Sequence, residues 1–179
     1  MRSIFAVRMK LSCRHHTLLC LLLLALLPGC KDEAPATASD PAATDLNEAL
    51  LGTWETVEVE TTTHSTNGVP DSTIYLAIRE ADWGRKYGSR PARTIFNPDG
   101  KFTRTYYNVN GDVTDLTHGL WKLKGSDSLL VIEPNTVLHY KHELDGSLLT
   151  LTVQVDWDYD KAQDDDYRAV LRLVSRTVE

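Results

Sequence analysis

Cysteine is scarce in this sequence, and its positions restrict the chemistry of the chain. Cys13, Cys20 and Cys30 are the three cysteines, so all lie within the first 30 of 179 residues. The rest of the chain has no thiol for a disulfide, a nucleophile or a cysteine metal site. Gly-x-Ser-x-Gly and His-Glu-x-x-His motifs are also missing, which removes the usual signatures of serine hydrolases and zinc proteases. We expect no enzymatic activity and no cofactor.

The sequence has no apolar run long enough for a membrane-spanning helix. Its longest run covers residues 18–27, about half of what a span requires, and Pro28 ends it. Four basic residues and no acidic residue come before this run: Arg2, Arg8, Lys10 and Arg14. The layout predicts a secretory signal peptide over residues 1–29. A short anchor helix is the alternative, and Met9 is an alternative start.

Positive charge is low after the signal peptide. Four of the 19 Lys and Arg residues precede Cys30, which leaves 15 against 25 Asp and Glu residues and a net charge of −10. A surface with this charge repels the phosphates of nucleic acids. We therefore expect no nucleic-acid partner.

Large apolar side chains are missing from residues 34–45, which are small or polar and include two prolines. This composition predicts a flexible tether over residues 30–47. Residues 48–179 have the length of one domain. A domain of that size buries about two-thirds of its unfolded surface and needs no covalent cross-link.

Helical periodicity is missing from residues 48–179. Short β-branched and aromatic segments instead alternate with turn signals, such as residues 97–100 and 145–146, which predicts an all-β antiparallel fold. In a strand, successive side chains point to opposite faces. The apolar parity of the last two strands predicts these interior, ligand-facing residues: Leu149, Leu151, Val153, Val155, Trp157, Leu171 and Leu173. In the first strand, Trp54 and Val57 have opposite parity, which predicts a bulge or a bend near Glu55.

Residues 80–91 fit neither a strand nor a helix well, and we expect a long loop with at most one helical turn. At the open end of a barrel such a loop can act as a lid. A mobile surface loop is the alternative.

A second unusual segment, residues 156–166, is rich in aspartate. Asp156, Asp158 and Asp160 alternate like the first ligands of an EF-hand loop. However, Lys161 occupies the position that requires glycine, and Tyr167 stands where a bidentate glutamate is needed. A calcium site of another geometry and a solvated acidic turn both stay open. The histidines His64, His118, His139 and His142 are expected at the surface.

The end of the predicted signal peptide carries a recognisable motif. Leu27-Pro28-Gly29-Cys30 resembles the bacterial lipobox. This resemblance implies cleavage after Gly29 and acylation of Cys30, which would hold the protein at a membrane through its acyl chains. Lys31, Asp32 and Glu33 follow directly and resemble the surface-export signal of some Gram-negative bacteria. A charged linker is the alternative reading of these three residues.

Four segments of the domain together resemble a known family. The first strand opens on Gly52-Thr53-Trp54, and further similar patterns follow at residues 96–102, 119–123 and 144–151. In order and spacing, they resemble the lipocalin-like domains of bacterial lipoproteins. The resemblance implies an antiparallel up-and-down β-barrel of about 8 to 10 strands, with an interior that can hold one small molecule.

The resemblance also implies which residues close the barrel. In this family the tryptophan of the Gly-x-Trp motif plugs the closed end, and a basic residue of the last strand lies across it. Gly52 and Trp54 match the motif, and Arg172 or Arg176 is the expected basic partner. An arginine over an indole contributes about 0.5 to 2 kcal/mol, so this group is expected to be structural.

These observations favour a lipid-anchored outer-membrane protein of a Gram-negative bacterium, displayed on the cell surface, whose barrel binds a small apolar or amphipathic molecule. A filled barrel that docks an envelope protein is the alternative. A hydrolase or isomerase forms a third class, which requires converging polar groups with shifted pKa values inside the barrel. Because a fold does not define a function, the interior of the barrel distinguishes these classes.

Overall fold

The computed structural model describes residues 41–66, 69 and 72–176. The predicted signal peptide, Cys30 and the Lys31, Asp32 and Glu33 signal lie outside the described residues. No helix in the described part of the chain has the length and apolarity to span a membrane.

The described residues form mostly β-strands. Two α-helices and nine strands follow one another in this order: α1 Pro41–Leu50, β1 Gly52–Thr63, β2 Ile74–Arg79, α2 Trp83–Tyr87, β3 Ser89–Phe96, β4 Lys101–Asn108, β5 Val113–Lys124, β6 Ser128–Glu133, β7 Thr136–Asp145, β8 Leu148–Val155 and β9 Asp165–Ser175. The predicted turns at residues 97–100 and 145–146 each join two neighbouring strands.

The strands form one antiparallel sheet in the order β2-β1-β3-β4-β5-β6-β7-β8-β9. Because β1 also pairs with β9, eight of them close into a barrel and β2 is an additional strand. The predicted all-β, up-and-down, lipocalin-like barrel of 8 to 10 strands is thereby confirmed. Closure places side chains of one parity inside, as β8 shows by burying Leu149 and Leu151.

Strand β1 changes its neighbour halfway along. Its residues 52–55 pair with β3, whereas its residues 58–63 pair with β2. On the β9 side the register shifts between Thr53 and Trp54 and again between Thr56 and Glu58. These irregularities flank Glu55 and agree with the predicted bulge or bend. Because residues 89–92 of β3 do not pair with β1, the barrel wall has a gap beside that part of β3.

One end of the barrel, where β1, β4, β6 and β8 begin, is filled with apolar side chains and is called the closed end here. Trp54, Phe96, Phe102, Leu129 and Leu149 are all at most 2% exposed. Phe96 packs edge-on against Trp121, with ring centroids 5.4 Å apart. This end therefore forms the hydrophobic core.

Helix α1 covers the closed end. Leu50 is fully buried, Leu46 packs against the core, and the indole Nε1 of Trp54 donates a hydrogen bond of 2.8 Å to the Leu50 carbonyl. Leu46 and Leu50 are one helical turn apart and share a face. The helix begins at Pro41, a favourable residue for a first turn. Residues 41–47, which the composition assigned to a flexible tether, are thus helical.

The opposite end, where β3, β5, β7 and β9 begin, is called the open end here, and the 3-10 turn Glu80–Asp82 and helix α2 connect β2 to β3. These two short elements occupy the segment predicted as a loop with at most one helical turn. Gly88 ends α2 in the left-handed conformation, at φ +63°, which favours glycine. The strands reach different heights around the open end. Residues 113–119 of β5 lie along β4, but the described part of β6 does not extend beside them.

The outer face of the β1–β9 seam carries a ladder of opposite charges. Arg168 bridges Glu58 at 2.6 Å and Glu60 at 3.0 Å, and Arg172 bridges Glu80 at 2.7 Å. Side chains this exposed contribute about 0 to 1 kcal/mol per pair. The ladder therefore adds less to stability than the apolar core does.

Candidate functional site

The half of the barrel nearest the open end is not filled. It encloses a cavity of about 290 Å³ between α2 and the strands, called the upper cavity here. The lining is mainly aromatic and apolar with a few polar groups: Thr56, Val59, Trp83, Ser89, Arg90, Ala92, Thr94, Arg104, Tyr106, Tyr107, Thr114, Tyr140, Leu151, Tyr167, Ala169 and Leu171. This combination is typical of small-molecule sites.

A second cavity, of about 440 Å³, lies at the open end and is called the mouth cavity here. Glu133, Asp156 and Trp157 are among its lining residues. It shares Arg104, Tyr140 and Tyr167 with the upper cavity, so these three side chains stand where the two cavities meet.

Arg104 is the central polar residue. It follows Phe102 at the same parity on β4 and therefore points inward, where its side chain is 21% exposed. Its Nη1 donates to Glu133 Oε1 over 2.7 Å, and its Nε donates to Thr94 Oγ1 over 3.3 Å. A charge this far from bulk water requires such partners.

Two tyrosines face Arg104 from β7 and β9. The rings of Tyr140 and Tyr167 are 6.5 Å apart, and Trp157 stacks on Tyr167 at 5.8 Å. Burial raises the pKa of both phenols above the ordinary value of 10.0, and the positive charge of Arg104 offsets only part of that increase. Both hydroxyls therefore stay protonated and can donate hydrogen bonds at neutral pH.

These raised pKa values make the fold sensitive to alkali. The folded chain holds the two phenolic protons more tightly than the unfolded chain, whose tyrosines titrate at the ordinary value of 10.0. Their contribution is complete below pH 10 and is lost as the pH rises through the folded-state pKa values. We expect the unfolding free energy of Tyr140→Phe to fall less steeply between about pH 9 and pH 11 than that of the unaltered chain.

Urea unfolding at several pH values measures this difference. Tyr159→Phe is the matched control, since Tyr159 is 87% exposed. Parallel pH profiles for Tyr140→Phe and the unaltered chain would contradict the expectation.

Helix α2 contributes Trp83 to the upper cavity. Its indole Nε1 is buried and has no hydrogen-bond partner among the described residues. Through Trp83, helix α2 therefore borders the upper cavity.

The predicted interior residues are distributed over three places. Leu151 and Leu171 line the upper cavity, and Val155 and Trp157 line the mouth cavity. The other three residues line neither cavity. Leu149 is buried in the core, and Val153 and Leu173 are partly buried and pack against it. Trp157 lies beyond the end of β8, so its inward position comes from the loop and from Tyr167.

The predicted barrel-closing residues meet at the closed end, with one exception. The guanidinium of Arg176 lies 5.8 Å from the ring centroid of Trp54. Gly52 adopts φ +123°, and a Cβ there would be 2.2 Å from the Ser175 carbonyl oxygen, so only glycine fits. Arg172 instead points outward to the Glu80 carboxylate.

No family model matches this chain, and no curated protein is similar to it. The function is therefore inferred from the residues and the barrel alone.

The acidic loop groups three carboxylates in a different set from the predicted one. Oxygens of Asp156, Asp158 and Asp165 lie within 4.8 Å of one another, and Asp160 is not a member. Asp165 is fully buried and accepts backbone N–H groups from His64 at 2.8 Å and from Trp157 at 2.6 Å. These bonds tie the loop to the end of β1, which gives Asp165 a structural role.

The sequence did not single out the polar residues at the centre of the site: Arg104, Tyr106, Glu133, Tyr140 and Tyr167. Their signal is parity. Arg104 and Tyr106 continue the inward parity of Phe102, and Tyr167 shares that of Ala169 and Leu171. A charged residue at an inward position of a barrel strand indicates a partner inside.

Proposed function

We propose that this protein is a non-enzymatic, lipocalin-like binding protein that holds a small amphipathic molecule in its barrel. One observation carries the proposal: the closed end is densely packed, whereas the open end keeps an aromatic cavity of about 290 Å³ that adjoins a second one of about 440 Å³. Binding sites require such space, and packed cores avoid it because voids destabilise them.

Displacement of a neutral fluorescent probe, N-phenylnaphthylamine, tests this proposal. The full chain with Cys30→Ser is suitable, because it cannot carry acyl chains that compete for the cavity. Ala169 is 4% exposed and lines the upper cavity, so Ala169→Phe fills it. We expect this substitution to weaken probe binding at least about ten-fold, equivalent to 1.4 kcal/mol.

Val174→Phe is the matched control, since Val174 lies on the same strand but is 48% exposed. It should bind the probe as the unaltered chain does. Circular dichroism shows that both variants are folded. Equal binding by Ala169→Phe and Val174→Phe would place the probe outside the barrel and contradict the proposal.

A scaffold role is the second candidate, and the additional strand β2 favours it. Ile74 and Tyr75 on this strand are 55% and 60% exposed, and β2 pairs only with β1 among the described strands. An edge with exposed apolar side chains can accept a strand from an envelope protein. Loss of a partner on Tyr75→Lys, with probe binding unchanged, would support this role.

We also propose that Cys30 is acylated and that the protein is anchored in the outer membrane of a Gram-negative bacterium, on the cell surface. The signal-peptide layout, the lipobox-like Leu27-Pro28-Gly29-Cys30 and the following Lys31, Asp32 and Glu33 support this proposal. Mass spectrometry of the mature protein should find an acylated Cys30 at its first position. Protease treatment of intact cells should remove the domain, and protection from protease would contradict surface display.

A further inference from the structure

The side chains around the upper cavity carry positive charge and no negative charge. Arg90 and Arg104 line it, and none of its lining residues is Asp or Glu. The whole chain has the opposite balance, with 25 acidic and 19 basic residues. Glu133 reaches Arg104 from the mouth cavity. Because this carboxylate offsets the charge of Arg104, the excess positive charge of the lining comes from Arg90, and it favours an anionic group over a cationic one.

Arg104 has more hydrogen-bond donors than its partners among the described residues accept. A guanidinium has five N–H donors in a planar fork. Thr94 and Glu133 each accept one of them, and Tyr106 is a third partner. At least two N–H donors remain for a ligand at the junction of the two cavities.

Tyr140 supplies a further donor beside Arg104. Its side chain is 5% exposed and lines both cavities. Its hydroxyl can donate to a ligand oxygen there, and Tyr167 presents a second phenol to the same space.

These donors border the upper cavity from three strands. Arg104 lies on β4, Tyr140 on β7 and Tyr167 on β9, and α2 adds Trp83, whose indole N–H has no partner among the described residues. A carboxylate matches them, because it only accepts hydrogen bonds, has about four acceptor positions and pairs with arginine through two parallel bonds.

We propose that the ligand is a small carboxylic acid with an apolar body, whose carboxylate is bound by Arg104, Tyr140 and Tyr167. This inference rests on the proposed binding function. The apolar body would lie against Leu151 and Leu171, deeper in the upper cavity. A volume of about 290 Å³ is at the lower end for small-molecule sites. It suits a medium-length fatty acid such as decanoate.

The acidic loop at the mouth opposes an anion, since Asp156 lines the mouth cavity. The proposed carboxylate position is beside Arg104, whose mostly buried charge is screened little by water and salt. A cationic head group could instead stack on Trp157. It would then lie in the same cavity as Arg104, whose charge repels it.

Three compounds that differ only in their head group test the inference: decanoate, decanol and decylammonium. Each displaces N-phenylnaphthylamine from the full chain with Cys30→Ser. Decanoate should act at a concentration at least about ten-fold lower than decanol, as the loss of a charge-assisted hydrogen bond predicts. Decylammonium should be the weakest of the three.

Two variants locate the head group. Tyr140→Phe removes a single oxygen and should weaken decanoate about five-fold, in keeping with one lost hydrogen bond, without changing decanol. The double variant Arg104→Met/Glu133→Leu removes the ion pair together and should abolish the preference for the acid. Tyr75→Phe is the control, because Tyr75 is 60% exposed on β2, and it should keep the full preference.

The outcomes separate the inference from the function on which it rests. Probe binding with equal displacement by all three compounds, or a preference for decylammonium, would overturn the inference and leave the binding function intact. A preference for decanoate that survives in both variants would also overturn it. If neither the probe nor any compound binds, the function and the inference fail together.

Discussion

Replacing Trp54 by alanine is expected to destabilise the fold by about 4 kcal/mol, within the range for large aromatic side chains in cores. Trp54 is fully buried, its indole N–H bonds the Leu50 carbonyl at 2.8 Å, and Arg176 covers its ring. The substitution would leave a cavity at the closed end and would detach α1 from the barrel. Domains are stable by about 5 to 15 kcal/mol in total, so this loss is large.

Urea unfolding, followed by circular dichroism, measures the effect. Trp157→Ala is the matched control, because Trp157 is 42% exposed in the loop after β8, and it should change the unfolding free energy by less than about 1 kcal/mol. Similar losses for both variants would show that Trp54 is not the plug of the closed end.

Removing Glu133 alone is expected to have the second largest effect, about 3 kcal/mol. Glu133→Ala would leave the Arg104 guanidinium inside the barrel without its carboxylate partner, and breaking one side of a buried pair is strongly destabilising. Water in the cavities solvates part of the charge, so the value lies at the lower end of the usual range. Urea unfolding again measures it.

The double variant Arg104→Met/Glu133→Leu tests whether the intact ion pair contributes to the unfolding free energy. Buried ion pairs replaced together by apolar residues of similar volume are often neutral in stability. We expect the double variant to unfold within about 1 kcal/mol of the unaltered chain, because it buries no charge. A loss of less than about 0.5 kcal/mol for Glu133→Ala alone would mean that the pair is effectively solvent-exposed.

Turn chemistry and side-chain parity account for the part of the fold that the sequence predicts. Glycine and asparagine at residues 97–100 mark a turn regardless of the rest of the molecule. The alternation of Leu149 and Leu151 with polar residues indicates which face of β8 is buried. Both signals are local, so they survive without knowledge of strand order.

The candidate site depends on contacts that no local pattern encodes. Arg104 and Glu133 are 29 residues apart and meet only after β4, β5 and β6 have taken their registers. Likewise, Tyr140 and Tyr167 come together only through the pairing of β7 with β8 and of β8 with β9. The helix at Pro41 was missed because its prolines and alanines resemble a tether, whereas Leu46 and Leu50 hold it against the barrel.

The pairing of β1 with β9 sets the order of events during biogenesis. Glu58 and Arg168 are 110 residues apart, so the seam cannot form until the residues through β9 have left the ribosome. Topologies with such distant pairings fold slowly, in milliseconds to seconds. Until β9 docks, the edges of β1 and β8 that it joins have no partner strand.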